Sequence, residues 1–168
     1  MSEAGGTTGP FLIFQSNGVD CAFPLGAVHA VVPMAALFSP PGTPPGIAGF
    51  LDLRGRAVPI LRLDLLFNLP EQKPGLHTPL IILNAAGSML GILAESVRQI
   101  ASPAMDSWLP LAPRNVFHDS AVASFAVDGR ITHLLSAEGI LLEQERSLVA
   151  ACQVMAQQRL RHLEGVIE

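Results

Sequence analysis

Short apolar runs separated by tight-turn signals are the feature that most constrains the fold of this chain. Asn17-Gly18 and Asp128-Gly129 each lie between two such runs, and both dipeptides tolerate the positive φ angles of a β-hairpin. Arg54-Gly55 and Ala86-Gly87-Ser88 divide two further pairs of runs. Because each signal predicts adjacent antiparallel strands, we expect about nine or ten short strands before residue 136, which is typical of an all-β barrel or sandwich.

Prolines interrupt this pattern at informative places. The segment Phe38–Gly46 has four prolines and two glycines in nine residues, so it cannot form a regular element. Pro59 lies inside an apolar run. Since proline has no N–H to donate to a ladder, its strand is predicted to lie at a sheet edge or to carry a bulge. Residues 102–120 are predicted to be irregular.

The pattern changes to a helical period near the C-terminus, where no proline follows Glu143. Apolar residues recur there every three or four positions, which predicts an amphipathic helix. They are Val149, Cys152, Ala156, Leu160, Leu163 and Ile167. Either this helix docks on its own barrel, or its far half, past Val154, contacts a partner or a second copy of the chain. The expected organisation is a disordered leader (1–10), a globular domain (11–145) and a helical extension (146–168).

Composition excludes several classes of function. The net charge is −4, so there is no basic field to attract nucleic acid or an anionic membrane. Hydrophobic residues make up 49% of the chain and charged residues 14%, which excludes disorder for most of its length. With no signal peptide pattern and no apolar run of about 18 residues, we expect a cytoplasmic protein that does not insert into the membrane.

A search for chemical motifs finds none. The five histidines lack metal-site spacing, and the two cysteines form no CxxC pattern. No nucleophile elbow, phosphate-binding loop or dinucleotide fingerprint is present. The pair His118-Asp119 stands alone and is interpreted as a surface contact. We therefore expect a non-enzymatic binding module with no cofactor and no metal. A ligand-binding or catalytic barrel would need a polar pocket cluster, which the sequence does not offer.

One segment is specific enough to suggest a family. Gly49-Phe-Leu-Asp-Leu-Arg-Gly55, followed by Val58-Pro-Ile-Leu-Arg-Leu63, resembles the hallmark of the CheW-like domain, a Gly-x-x-Asn-Leu-Arg-Gly turn before an apolar-Pro-apolar strand. The residues that match or replace this hallmark are Gly49, Asp52, Leu53, Arg54, Gly55 and Pro59. Other segments follow the family's order: Phe11–Phe14, Leu25–Val32, Pro79–Asn84, Leu90–Val97 and Gly129–Leu142. The resemblance spans about residues 11–145.

The resemblance implies a fold and a role. CheW-like domains consist of two intertwined five-stranded SH3-like β-barrels with a hydrophobic seam between them, to which this chain adds its C-terminal amphipathic helix. Their role is to couple the cytoplasmic tip of a chemoreceptor to the histidine kinase CheA, through the CheW-like regulatory domain of that kinase. The implied receptor-binding groove contains Leu25, Val28, Val31 and Arg54.

The chain departs from the family pattern at several positions. Asp52 replaces the hallmark asparagine, and Arg62 stands where an aspartate is usual. Ala30 occupies the position of the acidic residue that usually pairs with the hallmark arginine. Arg54 is therefore expected to lack that partner unless Asp52 or Asp64 substitutes. These departures leave open a divergent adaptor of a non-chemotaxis chemosensory pathway, such as gliding, twitching motility or development.

The proposed site residues also have purely structural interpretations. Leu25, Val28 and Val31 could belong to the core, because a segment facing the barrel interior has the same composition. Arg54 could bind carbonyls of its own turn, or it could project outward to a receptor. Trp108 could fill the core or anchor an interface.

Overall fold

A computed structural model describes residues 9–16, 18–67, 73–85, 87–110, 121–140 and 143–167. The described strands are β1 (Phe11–Ser16), β2 (Val19–Pro24), β3 (Val28–Val32), β4 (Ile47–Leu53), β5 (Arg56–Leu61), β6 (Leu80–Ala85), β7 (Ser88–Leu93), β8 (Ser96–Ala101), β9 (Trp108–Leu109), β10 (Ala121–Val127) and β11 (Arg130–Leu135). The described α-helices are α1 (Leu63–Leu66) and α2 (Glu143–Ile167), and short 3-10 turns cover Leu25–Ala27 and Met105–Ser107. The predicted leader, except Gly9 and Pro10, and His118-Asp119 lie outside the described residues.

The strands form two sheets that the chain visits in turn. The first sheet has six strands in the order β8-β1-β2-β11-β10-β9, and the second has five in the order β3-β6-β7-β5-β4. Because the chain leaves the first sheet after β2 and returns with β8, the two halves are intertwined. The sixth strand is the two-residue β9, which the expected five-plus-five count did not include. Within the segment predicted to be irregular (102–120), residues 102–110 contain only β9 and the 3-10 turn, and residues 111–120 lie outside the described part of the chain. Strand β9 pairs with β10 because Trp108 packs edge-on against Phe125, with ring centroids 5.0 Å apart.

The predicted hairpins are confirmed. The antiparallel pairs β1–β2, β4–β5, β6–β7 and β10–β11 each turn at a predicted signal. At the last turn, Asp128 has φ 53° and Gly129 has φ 76°, which is the type I′ geometry that suits the twist of paired strands. Asn17 and Ala86 themselves fall outside the described residues. Residues far apart in sequence add the parallel pairs β2–β11 and β5–β7.

The prediction that the strand containing Pro59 lies at a sheet edge is wrong. The alternative prediction, a bulge, corresponds to an irregularity in the neighbouring strand β4. Strand β5 lies between β4 and β7, and the β4–β5 register shifts between Ile47 and Gly49. Phe50, opposite Pro59, makes its two backbone hydrogen bonds to Phe38 instead, at 2.7 and 3.0 Å. Strand β7 pairs with β5 only at Ile60 and Leu61. Proline is tolerated at this interior position because neither neighbouring strand depends on a hydrogen bond from the N–H that proline lacks.

The core has three parts. The largest cluster, here called the seam, draws side chains from both sheets and from α2. Its largest members include Phe14 and Phe23, whose rings stack 5.3 Å apart, and Phe50. Two smaller clusters contain side chains from only one sheet each, the first around Phe11 and Phe125 and the second around Ile60 and Ile82. This arrangement matches the implied hydrophobic seam between two barrels.

Helix α2 docks on its own domain. Ala156 is fully buried and Leu160 is 6% exposed within the seam, with Val149 and Cys152 packed beside them. Leu163, one turn further on, is 57% exposed. The first of the two helix interpretations is therefore confirmed through Leu160. Among the described helices, none is long and apolar enough to cross a bilayer.

Candidate functional site

The hallmark turn presents an arginine at the tip of the β4–β5 hairpin. Arg54 has φ 52° and Gly55 has φ 85°, so this turn is also of type I′. The Asp52 side chain accepts a hydrogen bond from the Gly55 N–H through Oδ1 at 2.8 Å. Because aspartate and asparagine both offer an oxygen here, Asp52 caps the turn directly. The Arg54 side chain is exposed and, within the described ranges, makes no hydrogen bond or ion pair.

Neither suggested substitute for the missing acidic partner serves Arg54. Asp64 is buried and is bound by the Arg62 guanidinium, with contacts of 3.2 Å from Nε and 2.7 Å from Nη2. Asp52 is used within the turn, and Ala30 has no polar side chain. The interpretation that Arg54 binds carbonyls of its own turn also finds no hydrogen bond in the described structure. Arg54 is thus oriented by the backbone of its hairpin.

The apolar residues of the predicted groove lie together on a turn and a strand. Leu25 begins the 3-10 turn, where its N–H donates to the Pro10 carbonyl at 3.0 Å. Leu25 and Val28 are half-buried and pack against the seam, which agrees in part with their interpretation as core residues. Val31 is 44% exposed. Of the three, Val31 therefore offers the most free apolar surface.

Strands β3 and β4 are at opposite ends of the second sheet. Arg54, which follows β4, is therefore separated by the intervening strands from the groove residues on and before β3. The chain beyond β3 nevertheless returns to this sheet, since Phe38 forms a bridge with Phe50 of β4. The chain segment after β3 therefore pairs with β4. Trp108 packs against Phe11 and Phe125, so its interpretation as a core side chain is supported.

The Phe38 bridge also explains the hallmark glycine. Gly49 is buried, and a Cβ atom at this position would lie 2.8 Å from the Leu37 Cβ and 3.3 Å from the Phe38 carbonyl oxygen. Such distances require the backbone of one strand to move. The absence of a side chain at Gly49 therefore leaves room for Leu37 and Phe38 to pack against β4.

We expect Gly49→Ala to lower the free energy of unfolding by about 1–2 kcal/mol, because the added methyl overpacks this contact and because Gly49 has φ 157°, which residues with a Cβ atom rarely adopt. Urea denaturation measures the effect. Gly87→Ala is not a clean control, since Gly87 has φ 85°; Gly26→Ala is better, because a Cβ at Gly26 meets nothing within 4 Å. Equal stability of the Gly49 and Gly26 variants would contradict this explanation.

Sequence reasoning missed two site residues on α2. Gln153 and Gln157 do not belong to the predicted apolar stripe, yet both side chains bind the backbone of Ala57 in β5. Their i, i+4 spacing beside the buried stripe was the available signal. Nothing in the sequence indicated that a strand would need them.

The electrostatics of the domain do not indicate catalysis. Burial raises the pKa of the Cys21 thiol, which keeps it protonated, and burial lowers the pKa of His133. Both lie in the first sheet, away from the hairpin and β3. No cluster of three metal-ligating side chains occurs among the residues that the structure describes. The exposed arginine and the apolar side chains of β3 are suited to binding a protein surface.

Comparisons with known proteins bear on the family and the fold of this chain. A family model described as CheW-like domain matches residues 10–145. The chain is 24% identical over 133 residues to the chemotaxis protein CheW of Bacillus subtilis (strain 168), an alignment that covers 77% of this chain and 85% of that protein. Among solved structures, the scaffolding protein TtCheW from Thermoanaerobacter tengcongensis matches with a TM-score of 0.74 at 18% identity. That match covers 80% of this chain and 88% of the other and shows a shared fold.

Proposed function

Since the chain belongs to the family of CheW-like domains, a family of non-enzymatic scaffold and adaptor proteins of chemotaxis, we propose that it couples the cytoplasmic tip of a chemoreceptor to the histidine kinase CheA. It acts in the cytoplasm and joins membrane receptor arrays through these partners. The two contacts use different surfaces, because an adaptor must hold both partners at once.

The observation that carries the receptor contact is the exposed Arg54 on a fixed hairpin. Its backbone has the left-handed conformation, and the Asp52–Gly55 hydrogen bond closes the turn. A planar guanidinium without an internal partner can form charge-assisted hydrogen bonds with carboxylates or helix-terminal carbonyls. Ala30 has no acidic group to pair with Arg54, so the Arg54 side chain is less restrained in the free protein. Ordering it on binding therefore costs more conformational entropy than in a family member with the acidic residue.

The segment from Leu25 to Val31 supports an apolar floor for the same contact. A receptor tip is a helical hairpin, which binds by placing apolar side chains at i, i+3 and i+4 into a groove. Val31 supplies exposed apolar area, while Leu25 and Val28 are held in place by the seam. A floor supported by the core changes little on binding, which lowers the entropic cost.

The first sheet supports the kinase contact. The resemblance implies end-to-end contact between barrels through apolar strand and loop residues. Exposed apolar side chains of this sheet are Ile100, Leu109, Val122 and Ile131. They do not belong to the second sheet, which carries both Val31 and the Arg54 hairpin. We expect binding to the regulatory domain of CheA in the micromolar range or tighter, about −8 kcal/mol at the weak end.

We expect Arg54→Ala to weaken receptor binding by about 1–2 kcal/mol, the loss of one charged hydrogen-bonding partner, while leaving kinase binding unchanged. Isothermal titration with each partner separately measures both effects. Arg56→Ala is the control, because Arg56 is also exposed and follows the same turn. If Arg54→Ala unfolds the domain instead, the arginine is structural and the receptor contact is wrong.

Co-purification with the native receptors and kinases tests the function as a whole. Recovery of a methyl-accepting receptor together with CheA is the expected result. Recovery of a kinase without such a receptor would instead favour the divergent adaptor of another chemosensory pathway.

A further inference from the structure

Strand β5 has a section next to the hallmark turn that pairs with β4 on one side but has no strand beside it on the other. Its parallel ladder with β7 includes only Ile60 and Leu61, so β7 does not accompany the strand between Gly55 and Pro59. Ala57 lies in this section and is fully buried. A buried backbone N–H or C=O without a partner is costly. Some other group must therefore form hydrogen bonds with the backbone N–H and C=O of Ala57.

Two glutamines of α2 provide these partners. The Gln157 side chain accepts from the Ala57 N–H through Oε1 at 2.9 Å and donates from Nε2 to the Gly55 carbonyl at 2.7 Å. Gln153, one helical turn earlier, donates from Nε2 to the Ala57 carbonyl at 3.0 Å. A side-chain amide has the same donor and acceptor as a peptide group. Gln157 thus replaces the peptide group of a neighbouring strand.

The same hydrogen bonds hold the turn that presents Arg54. Gly55 directly follows Arg54, and it is fixed on both sides, through its N–H by Asp52 and through its carbonyl by Gln157. Arg54 itself has φ 52°, a conformation that is unfavourable for a residue with a Cβ atom. Such a conformation persists only when contacts from the surrounding structure hold it in place.

We propose that Gln157, assisted by Gln153, is a positioning residue for partner binding: it couples the docking of α2 to the orientation of the Arg54 hairpin. Ala156 and Leu160, next to these glutamines, anchor the helix in the seam, so the two amides are held rigidly. The C-terminal helix therefore acts in receptor binding through its hold on the Arg54 hairpin. This inference rests on the proposed receptor contact of Arg54.

The test uses Gln157→Met, which keeps the length and packing of the side chain but removes both hydrogen bonds. Gln158→Met is the matched control, because Gln158 is the next residue of α2, is exposed, and makes no side-chain hydrogen bond in the described part of the chain. Gln153→Met is a milder variant that leaves the Gly55 carbonyl bonded, in case Gln157→Met does not fold. The probe is a soluble helical hairpin containing the cytoplasmic tip of a chemoreceptor from the same organism.

Two measurements are made on the full chain. Amide hydrogen exchange by NMR should become roughly tenfold faster at Ala57 in Gln157→Met, with β1 and β2 unchanged. Affinity for the receptor hairpin should fall roughly fivefold in Gln157→Met, less in Gln153→Met, and not at all in Gln158→Met. In an Arg54→Ala background, Gln157→Met should cause no additional loss, because the positioning then serves no side chain.

The double variant separates the outcomes. If Arg54→Ala weakens binding but Gln157→Met does not, or if the two losses add, Gln157 is merely structural and the inference is overturned while the proposed function stands. If Arg54→Ala binds like the wild type, the receptor contact itself fails, and the inference fails with it.

Discussion

Replacing Val31 with aspartate is expected to abolish receptor binding and to leave the fold unchanged. Val31 is 44% exposed on β3, so the carboxylate is solvated in the free protein. In the complex, the same carboxylate would be buried without a partner against the apolar side of a helix, which costs several kcal/mol. We expect a loss of more than about 100-fold in affinity for the receptor hairpin. Titration calorimetry measures it, with far-ultraviolet circular dichroism to check the fold.

The structure also determines which substitution gives a clean result. Val28→Asp would place a charge beside the seam, because Val28 is half-buried there, so lost binding could reflect lost stability. Val122→Asp is the matched control, since Val122 is 51% exposed on a strand of the other sheet. It should leave receptor binding intact. If Val31→Asp and Arg54→Ala both bind like the wild type, the groove lies elsewhere on the domain.

The hairpins could be predicted because their information is local. Each turn is specified by residues that accept positive φ, such as Asp128 and Gly129, and these stand directly between the strands they join. The parallel pairs had no such signal. β2 and β11 are brought together by burial of the seam and by the Asp20–Arg130 ion pair, at 2.8 Å, across a separation of 110 residues. Apolar periodicity alone does not specify which distant strands become neighbours.

The error at Pro59 and the omission of the glutamines have one cause. A proline in a strand normally indicates an edge, because the next strand would lose a donor. Here the neighbour of β5 changes along its length, from the Gln153 and Gln157 side chains to β7. Only tertiary structure places a helix beside an incomplete ladder. Asp52 differs, since its turn-capping role follows from local chemistry, although the sequence pattern suggested it only as a partner for Arg54.

The second large effect is expected at Leu160 on α2. This side chain is 6% exposed within the seam, so Leu160→Ala removes buried apolar contacts and leaves a cavity. We expect it to lower the free energy of unfolding by about 3 kcal/mol. Urea denaturation followed by circular dichroism measures the change, with the slope of the transition checked for two-state behaviour.

Leu163→Ala, three residues further along the same helix, is the control for Leu160→Ala. Leu163 continues the same apolar stripe but is 57% exposed, so its truncation should change stability by less than about 0.5 kcal/mol. Helix propensity changes equally in both substitutions, so a difference between the two variants reflects packing alone. The comparison therefore shows where along α2 the apolar stripe stops packing against the domain. Equal and large losses would mean that the last turns of α2 are docked in solution. Equal and small losses would mean that α2 leaves the seam, and Gln157 could then no longer hold the Arg54 hairpin.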